Sequence, residues 1–166
     1  MTANDNATTD SISVLLGSGT GAFPTHVEYV TGDGPQYVVV GDFNADSKED
    51  IATANSAGSV SVFLGSGSGG FGIKTDYAVG AAASAIAVGD FNGDGKQDLA
   101  TASTSAGTIS VLLGGGNGSF GSHTDFAAGA TGSSVHGLAV ADFNRDGKLD
   151  LATGDCASIL LNTTSP

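Results

Sequence analysis

The sequence predicts an all-β protein, and three observations support this prediction. The 166 residues include 27 glycines and no tryptophan, and glycine lowers helix stability while it supplies the positive φ angles of tight turns. Short runs of valine, isoleucine, leucine and alanine alternate with polar residues, which is the two-residue period of a half-buried strand. One phrase of sequence also recurs three times, which predicts a repeated structural unit.

The repeated unit is about as long as one blade of a β-propeller. Phe23, Phe71 and Phe120 lie in register, 48 and 49 residues apart. Each unit contains four strand-like runs, named a to d, which in the first complete unit read QYVVVG, DIATA, SVSVFLG and TDYAV. Strand a mixes β-branched with small residues and suits the crowded innermost place in a blade. We therefore predict propeller blades of four antiparallel strands.

The strand count sets the expected organisation of the chain. The runs occur as c-d, a-b-c-d, a-b-c-d and a-b-c, about three blades. We expect residues 1–10 to be disordered or irregular, residues 11–162 to form the blades and residues 163–166 to be a tail. Three blades do not close a ring of the usual four to eight, and an open ring exposes strand edges. We expect self-association or sequence outside this chain to complete the ring; a dimer whose N-terminal strand d completes the partner's a-b-c blade would have six blades.

An acidic loop joins strands a and b in each unit, at residues 42–50, 90–98 and 142–150. The pattern D-x-N-x-D-x-K-x-D places oxygen side chains at positions 1, 3, 5 and 9. Crowded carboxylates repel one another, so each loop is expected to hold a cation. Ca²⁺ takes six to eight hard oxygen ligands, whereas zinc lacks Cys and His ligands here and Mg²⁺ seldom uses an all-protein cage. The lysine at position 7 would contribute only its backbone carbonyl, with its ammonium in solvent.

The loop sequence is also compatible with two other interpretations. An EF-hand needs a bidentate Glu at position 12 and flanking helices, but position 12 is threonine in all three loops. The loops could instead be simple Asp/Asn/Gly turns, although three copies in register argue against that. The phenylalanine at position 2 is expected to be a core residue that anchors each loop: Phe43, Phe91 and Phe143.

The sequence resembles the FG-GAP repeats, also called VCBS repeats, of integrin α-subunit propellers and many secreted bacterial proteins. The resemblance is carried by DFNADSKEDIA, DFNGDGKQDLA and DFNRDGKLDLA and by the pairs Phe71-Gly72 and Phe120-Gly121, and it covers nearly the whole chain after residue 10. It implies that each loop joins the first two strands of a blade and binds Ca²⁺, up to three ions per chain. The implied ligands are the side chains of Asp42, Asn44, Asp46 and Asp50, of Asp90, Asn92, Asp94 and Asp98, and of Asp142, Asn144, Asp146 and Asp150, with the backbone carbonyls of Lys48, Lys96 and Lys148.

The first repeat departs from this pattern at two positions. Ser47 stands at position 6, where the other loops have Gly95 and Gly147. A non-glycine residue in a left-handed conformation costs about 1 kcal/mol, so we expect the first site to bind more weakly. Pro24 replaces the glycine of the FG pair, so that corner is expected to differ.

Charge and side-chain inventory exclude several function classes. The net charge of −12, with 5 basic and 17 acidic residues, argues against nucleic acid and anionic membranes as partners. No apolar run is long enough for membrane insertion. His26, His123 and His136 are expected at the surface, the carboxylates are committed to the loops, and no nucleophile–base pattern recurs, so no enzyme is expected. Cys156 is expected to be a small buried residue.

The resulting functional hypothesis is a secreted, extracellular calcium-binding propeller that acts as a non-catalytic binding or adhesion scaffold for a protein or glycan. Its export signal would lie outside this chain. One alternative is a lectin-like carbohydrate-binding propeller; the lack of tryptophan weakens it, since only Tyr29, Tyr37 and Tyr77 could stack on sugars as large polar aromatics. The other alternative is a non-catalytic domain of a larger secreted enzyme.

Overall fold

The computed structural model describes residues 2–4, 9–103, 105–128, 137–154 and 158–163. Every regular element within these ranges is a β-strand, and all strand pairs are antiparallel. The all-β prediction is confirmed. His136, Cys156 and most of the predicted tail lie outside the described residues. Within the described part, no helix has the length and apolar character needed to cross a membrane.

The strands form four sheets, numbered I to IV in chain order. Sheet I contains β1 (Thr2–Asn4), β2 (Ser11–Leu16) and β3 (Thr25–Val30). Sheet II contains β4 (Pro35–Gly41), β5 (Asp50–Asn55), β6 (Ser59–Phe63) and β7 (Thr75–Ala78). Sheet III contains β8 (Ala83–Gly89), β9 (Asp98–Ser103), β10 (Thr108–Leu112) and β11 (Thr124–Ala127). Sheet IV contains β12 (Leu138–Ala141), β13 (Asp150–Thr153) and β14 (Ile159–Leu160).

Sheets II and III are four-stranded meanders in the predicted order a-b-c-d, and sheet IV contains strands a, b and c. Sheet I differs from the prediction. Residues Thr2–Asn4 were expected to be irregular, yet they form β1, which pairs with β2 at the place that strand b has in the other sheets. The pairing covers an edge of β2 that would otherwise be open. The described residues thus form four sheets and no closed ring.

The middle strands of sheets II and III are buried on both faces. Every residue of β5 and β9 is buried, and strand c is more buried than its alternation suggests, because Ser61 on the polar face of β6 is also buried. Ser61 Oγ donates to Asp76 Oδ1 at 2.6 Å and accepts from Asn55 Nδ2 at 2.9 Å. The two-residue period of strand c therefore separates an apolar buried face from a hydrogen-bonded polar one.

An apolar cluster lies between each pair of consecutive sheets. Ile12 of sheet I packs with Ile51 and Phe63 of sheet II, Phe43 and Val62 belong to the cluster between sheets II and III, and a third cluster joins sheets III and IV. Strand a of sheet II also lies against strand a of sheet III, and that strand against strand a of sheet IV. Packing of this kind brings successive a–b loops next to one another.

The phenylalanines at position 2 of the loops follow the prediction in two copies out of three. Phe43 is 2% exposed and Phe91 is 8% exposed, so both are core residues. Phe143 was expected to be buried as well but is 43% exposed. Phe43 is covered by Phe120 of the following sheet, and no following sheet covers Phe143 among the described residues.

Candidate metal-binding loops

The three acidic loops are held between the ends of strands a and b. In each sheet the residue before position 1 is the cross-strand partner of the aspartate at position 9; the pairs are Gly41 with Asp50, Gly89 with Asp98, and Ala141 with Asp150. The ladder therefore brings positions 1 and 9 to the same end of the hairpin. Gly41 also lies against the Gln97 side chain, and Gly89 against that of Leu149. Consecutive loops are neighbours along one side of the protein.

The aspartate at position 1 closes each loop around its own carboxylate. In the second loop Asp90 Oδ1 accepts the N–H groups of Gly93 and Asp94 at 2.7 and 3.1 Å, and Oδ2 accepts that of Gly95 at 2.8 Å. Asp42 and Asp142 accept the N–H groups of positions 5 and 6 in the same way. These bonds wrap the backbone around the position-1 oxygens.

The asparagine at position 3 makes a local turn. Its side-chain Oδ1 accepts the N–H of position 5 at 3.1 Å in the first loop and 2.9 Å in the other two. Such Asx turns satisfy backbone donors in a segment that is neither helix nor strand. The residues are Asn44, Asn92 and Asn144.

The lysine at position 7 pairs with the aspartate at position 5 in the first two loops, while its side chain stays 41% exposed at Lys48 and 43% exposed at Lys96. Lys48 Nζ lies 2.8 Å from Asp46 Oδ2, and Lys96 Nζ lies 3.1 Å from Asp94 Oδ2. The hydrogen bond from each ammonium lowers the pKa of its aspartate, and the bond with Asp46 raises the pKa of Lys48. In these two copies the acidic loop therefore holds its own lysine in an exposed ion pair.

The aspartate at position 9 has a structural role that the sequence analysis missed. Asp98 is buried; its Oδ2 accepts the Phe91 N–H at 2.9 Å and its Oδ1 accepts the Gly114 N–H at 2.7 Å. Burial raises the pKa of Asp98. The same two bonds recur in the other sheets, from Phe43 and Gly65 to Asp50 and from Phe143 and Asn162 to Asp150. In the sequence, this structural role is indicated by the position of each aspartate as the first residue of a buried strand.

Positive φ angles occur at two positions of the loops. Ser47 at position 6 has φ 62°, as expected from the glycines of the other loops. Position 4 is left-handed as well, with φ 58° at Ala45, 76° at Gly93 and 63° at Arg145. Only Gly93 signalled this in the sequence. A residue with a Cβ in this conformation costs about 1–2 kcal/mol. The first loop has two such residues, Ala45 and Ser47, and the second loop has none, so the first loop is the more strained.

The donor set of each loop suits a hard cation in its chemistry. Three carboxylates and one amide oxygen are the donors that Ca²⁺ prefers. Within the described part of the chain, however, no three carboxylate, imidazole or thiol groups already converge as a metal site. Each carboxylate oxygen has two lone pairs, so an oxygen that accepts one N–H, such as Asp90 Oδ2, leaves room for a second partner, whereas Asp90 Oδ1 already accepts two N–H groups. In the first two loops, binding would require the side chain at position 5 to leave its lysine.

A serine, an aspartate and a histidine also meet on sheet III. Asp125 Oδ1 accepts from Ser110 Oγ at 2.6 Å and lies 3.0 Å from His123 Nδ1. The serine contacts the aspartate and not the histidine, whereas a nucleophile would need the histidine as its base. In sheet II the same places hold Ser61, Asp76 and Lys74. The serine–aspartate hydrogen bond is therefore present in both sheets, with or without a histidine beside it, which indicates a contact that stabilises the sheet.

Comparison with known proteins gives one family. The family model described as an FG-GAP-like repeat matches residues 42–101 and 90–153, and these two matches together contain all three acidic loops. A search of curated proteins gives no significant match. The matched residues make up more than half of the chain. The resemblance seen in the sequence is confirmed: the chain belongs to the FG-GAP-like repeat family.

Proposed function

We propose that this chain is a calcium-binding β-propeller module that acts outside the cell as a non-catalytic binding or adhesion scaffold. The observation that carries the proposal is the family repeat itself, with three oxygen-rich loops at equivalent places in successive sheets. The antiparallel four-stranded meanders have the form of propeller blades.

Each loop would bind one Ca²⁺ through positions 1, 3, 5 and 9, with the backbone carbonyl of position 7. The ion would reduce the repulsion among three carboxylates and release the lysine from position 5. If it binds only the folded state, it adds RT ln(1 + [Ca²⁺]/Kd) to the free energy of unfolding. Extracellular calcium modules have Kd values of about 10⁻⁴–10⁻³ M, so such sites fill outside the cell and stay mostly empty inside it. Sites of that affinity would match a calcium-rich exterior.

The experiment compares melting temperatures in calcium and in EDTA for Asp94→Ala and for its control, Lys96→Ala. Both variants remove the ion pair between Asp94 and Lys96, but only the first removes a proposed ligand side chain. We expect calcium to raise the melting temperature of the wild type and of Lys96→Ala by similar amounts, and that of Asp94→Ala by less. Titration calorimetry should give up to three sites. A wild-type melting temperature that calcium does not change would contradict the proposal.

The lectin-like alternative loses two of its three tyrosines. The ring of Tyr29 packs on Phe63 and Phe71, and that of Tyr77 packs on Phe120. Tyr37 alone of the three is more than half exposed. A glycan array with and without chelator tests this alternative, and the flanking gene sequence tests whether the chain is part of a larger secreted enzyme.

We also propose that self-association completes the ring, with a six-bladed dimer as the simplest form. The structure leaves sheets I and IV with three strands each among the described residues, which supports a missing neighbour for both.

A further inference from the structure

Two of the three interfaces between sheets are filled by an aromatic ring from a c–d loop. Phe71, in the loop after β6, packs on Tyr29 of sheet I, with 5.5 Å between the two ring centroids. Phe120, in the loop after β10, packs 5.4 Å from Tyr77 and 5.5 Å from Phe43, both of sheet II. In each case the loop of the later sheet supplies the phenylalanine and strand d of the earlier sheet supplies a tyrosine.

The third interface, between sheets III and IV, has a surface like those on which Phe71 and Phe120 pack. No phenylalanine from a c–d loop fills this surface among the described residues. Phe126 of β11 pairs with Ile109 as Tyr77 pairs with Val60, so it is the equivalent of that tyrosine, and it is 46% exposed. Beside it lies an open groove of about 380 Å³ whose lining is mostly apolar. Its main lining residues are Phe91, Val111, Leu113, Phe126, Leu151 and Leu160.

The chain carries one phenylalanine of the matching kind without a receiving surface. Phe23 occupies in the β2–β3 loop the place of Phe71 and Phe120, and it is 61% exposed. Its loop is already closed like the other two, since Ser18 N–H donates to Ala22 O at 2.9 Å as Ser66 N–H donates to Gly70 O at 2.8 Å. Phe23 is therefore presented on a formed hairpin.

A second pair of unmatched surfaces involves the acidic loops. Phe43 contacts the following sheet twice, since its ring meets Phe120 and its carbonyl accepts the Gly118 N–H at 2.8 Å. On sheet II the corresponding surface, around Gly69 and Phe71, borders an open cavity of about 350 Å³ that Ser47, Lys48 and Glu49 also line. The cavity is open because sheet I has no a–b loop among the described residues. The exposed equivalent of Phe43 is Phe143, on sheet IV.

We propose that two copies of this chain exchange hairpins, so that β2–β3 of one copy pairs with β12–β13 of the other. The composite sheet would have the order β12-β13-β2-β3, with Phe23 in the groove beside Phe126 and with Phe143 against the partner's sheet II. The short strands β1 and β14, of three and two residues, hold these pairing edges in the single chain and are released, so β2 of the partner takes the place of Leu160 as one wall of the groove. Sheets II and III of each copy and two composite sheets make six blades.

A second copy is the occupant because the exchange satisfies all four surfaces by continuing interfaces that the chain already contains. The inference rests on the proposed function only in treating the sheets as blades of a ring. The groove is apolar, whereas the net charge of −12 on each copy opposes association. The dimer should therefore be strongest at moderate salt and with calcium present.

Light scattering of the 166-residue chain in millimolar calcium tests the exchange. We expect a mass of twice 16.1 kDa for the wild type and for the control Val30→Asp, whose equivalents Ala78 and Ala127 stay exposed in complete sheets. Phe23→Asp and Phe126→Asp should each be monomeric and folded by circular dichroism. An equimolar mixture of the two should regain dimers, because one junction then combines an intact Phe23 with an intact groove.

A monomeric wild type would overturn the inference, as would a Phe126→Asp variant as dimeric as the wild type. The latter result would indicate simple stacking of sheet I on the partner's sheet IV, with Phe23 against Phe143 and the groove unused. Calcium titration separates this failure from failure of the proposed function. Binding heat retained in a monomer would leave calcium binding intact, and dimers without any binding heat would leave the exchange intact.

A disulfide test does not depend on variants that might unfold. In the composite sheet Val14 would face Ala152, as Val62 faces Ala52 and Val111 faces Ala100. Val14→Cys with Ala152→Cys, in a Cys156→Ser background, should give disulfide-linked dimers on oxidation. The control pair Leu15→Cys with Ala152→Cys puts the thiols on opposite faces and should give few. Equal yields from the two pairs would contradict the register.

Discussion

Asp98 Oδ1 accepts the Gly114 N–H at 2.7 Å while Oδ2 of the same carboxylate accepts the Phe91 N–H at 2.9 Å. One buried side chain therefore joins the a–b loop to the start of the c–d loop. Gly114 is required at this contact, since a Cβ there would collide with the Gln97 carbonyl. The aspartate at position 9 thus stabilises the fold whether or not it also binds a cation.

Asp98→Ala should destabilise the protein strongly even without calcium. The variant leaves two backbone N–H groups without their acceptor, and each unsatisfied buried donor costs about 1–3 kcal/mol. Urea unfolding in EDTA should show a loss of about 2–5 kcal/mol in the free energy of unfolding. Asp46→Ala, which removes an exposed carboxylate, is the control and should have a small effect in EDTA. Similar losses from both variants would show that position 9 has no special structural role.

Ser47→Gly should stabilise the fold without changing calcium binding. Ser47 already has φ 62° in a loop closed by its own hydrogen bonds, so the strain belongs to the folded chain before any ion binds. Relief of a left-handed non-glycine residue, less the greater chain entropy of glycine when unfolded, should give a few tenths to about 1 kcal/mol. Urea unfolding in EDTA measures this gain.

The calcium-dependent rise in melting temperature should be the same for Ser47→Gly and the wild type. A larger rise in the variant would show instead that the strain weakens the first site, as the sequence alone suggested. Gly95→Ser in the second loop is the reverse substitution and should lower stability by a similar amount.

The ion pair between Lys96 and Asp94 should make stability depend on pH in acid. The hydrogen bond from Lys96 lowers the pKa of Asp94 below its usual 3.8 in the folded state. A lowered folded pKa gives stability that is present above about pH 3.8 and is lost as the pH falls through the folded pKa. Lys96→Met should therefore lose less stability than the wild type as the pH falls below about 4. Melting temperatures of both proteins, measured in EDTA over a series of acid pH values, test whether the variant loses less stability.

The sequence predicted the repeated parts of the fold well, because period and spacing are properties of the chain itself. The a-b-c-d order and the three loops follow from the 48-residue register of Phe23 and Phe71. It did not predict features that depend on neighbouring sheets or on a single contact. The strand at Thr2–Asn4 forms from a polar segment because β2 offers an edge, and Lys48 pairs with Asp46 because the loop is acidic.

Phe43→Ala and Phe143→Ala form the sharpest pair for testing this dependence on neighbours. The two residues hold the same loop position, but Phe43 is covered by Phe120 of the next sheet. In the Phe23→Asp background, which should keep the chain monomeric, Phe43→Ala should lower the free energy of unfolding by about 3–5 kcal/mol. Phe143→Ala should lower it by less than about 1 kcal/mol, because its ring is already largely in water.

The same pair should behave differently when the hairpin exchange is allowed. In the wild-type background Phe143 would gain the partner's sheet II as a neighbour, so Phe143→Ala should weaken dimers while leaving the fold of each copy intact. Light scattering over a dilution series measures the dissociation constant of the dimer. We expect Phe143→Ala to raise this constant at least tenfold, which corresponds to about 1.4 kcal/mol of binding free energy. A dissociation constant unchanged by Phe143→Ala would mean that this ring stays in solvent in the assembled protein, and the proposed contact with sheet II would be wrong.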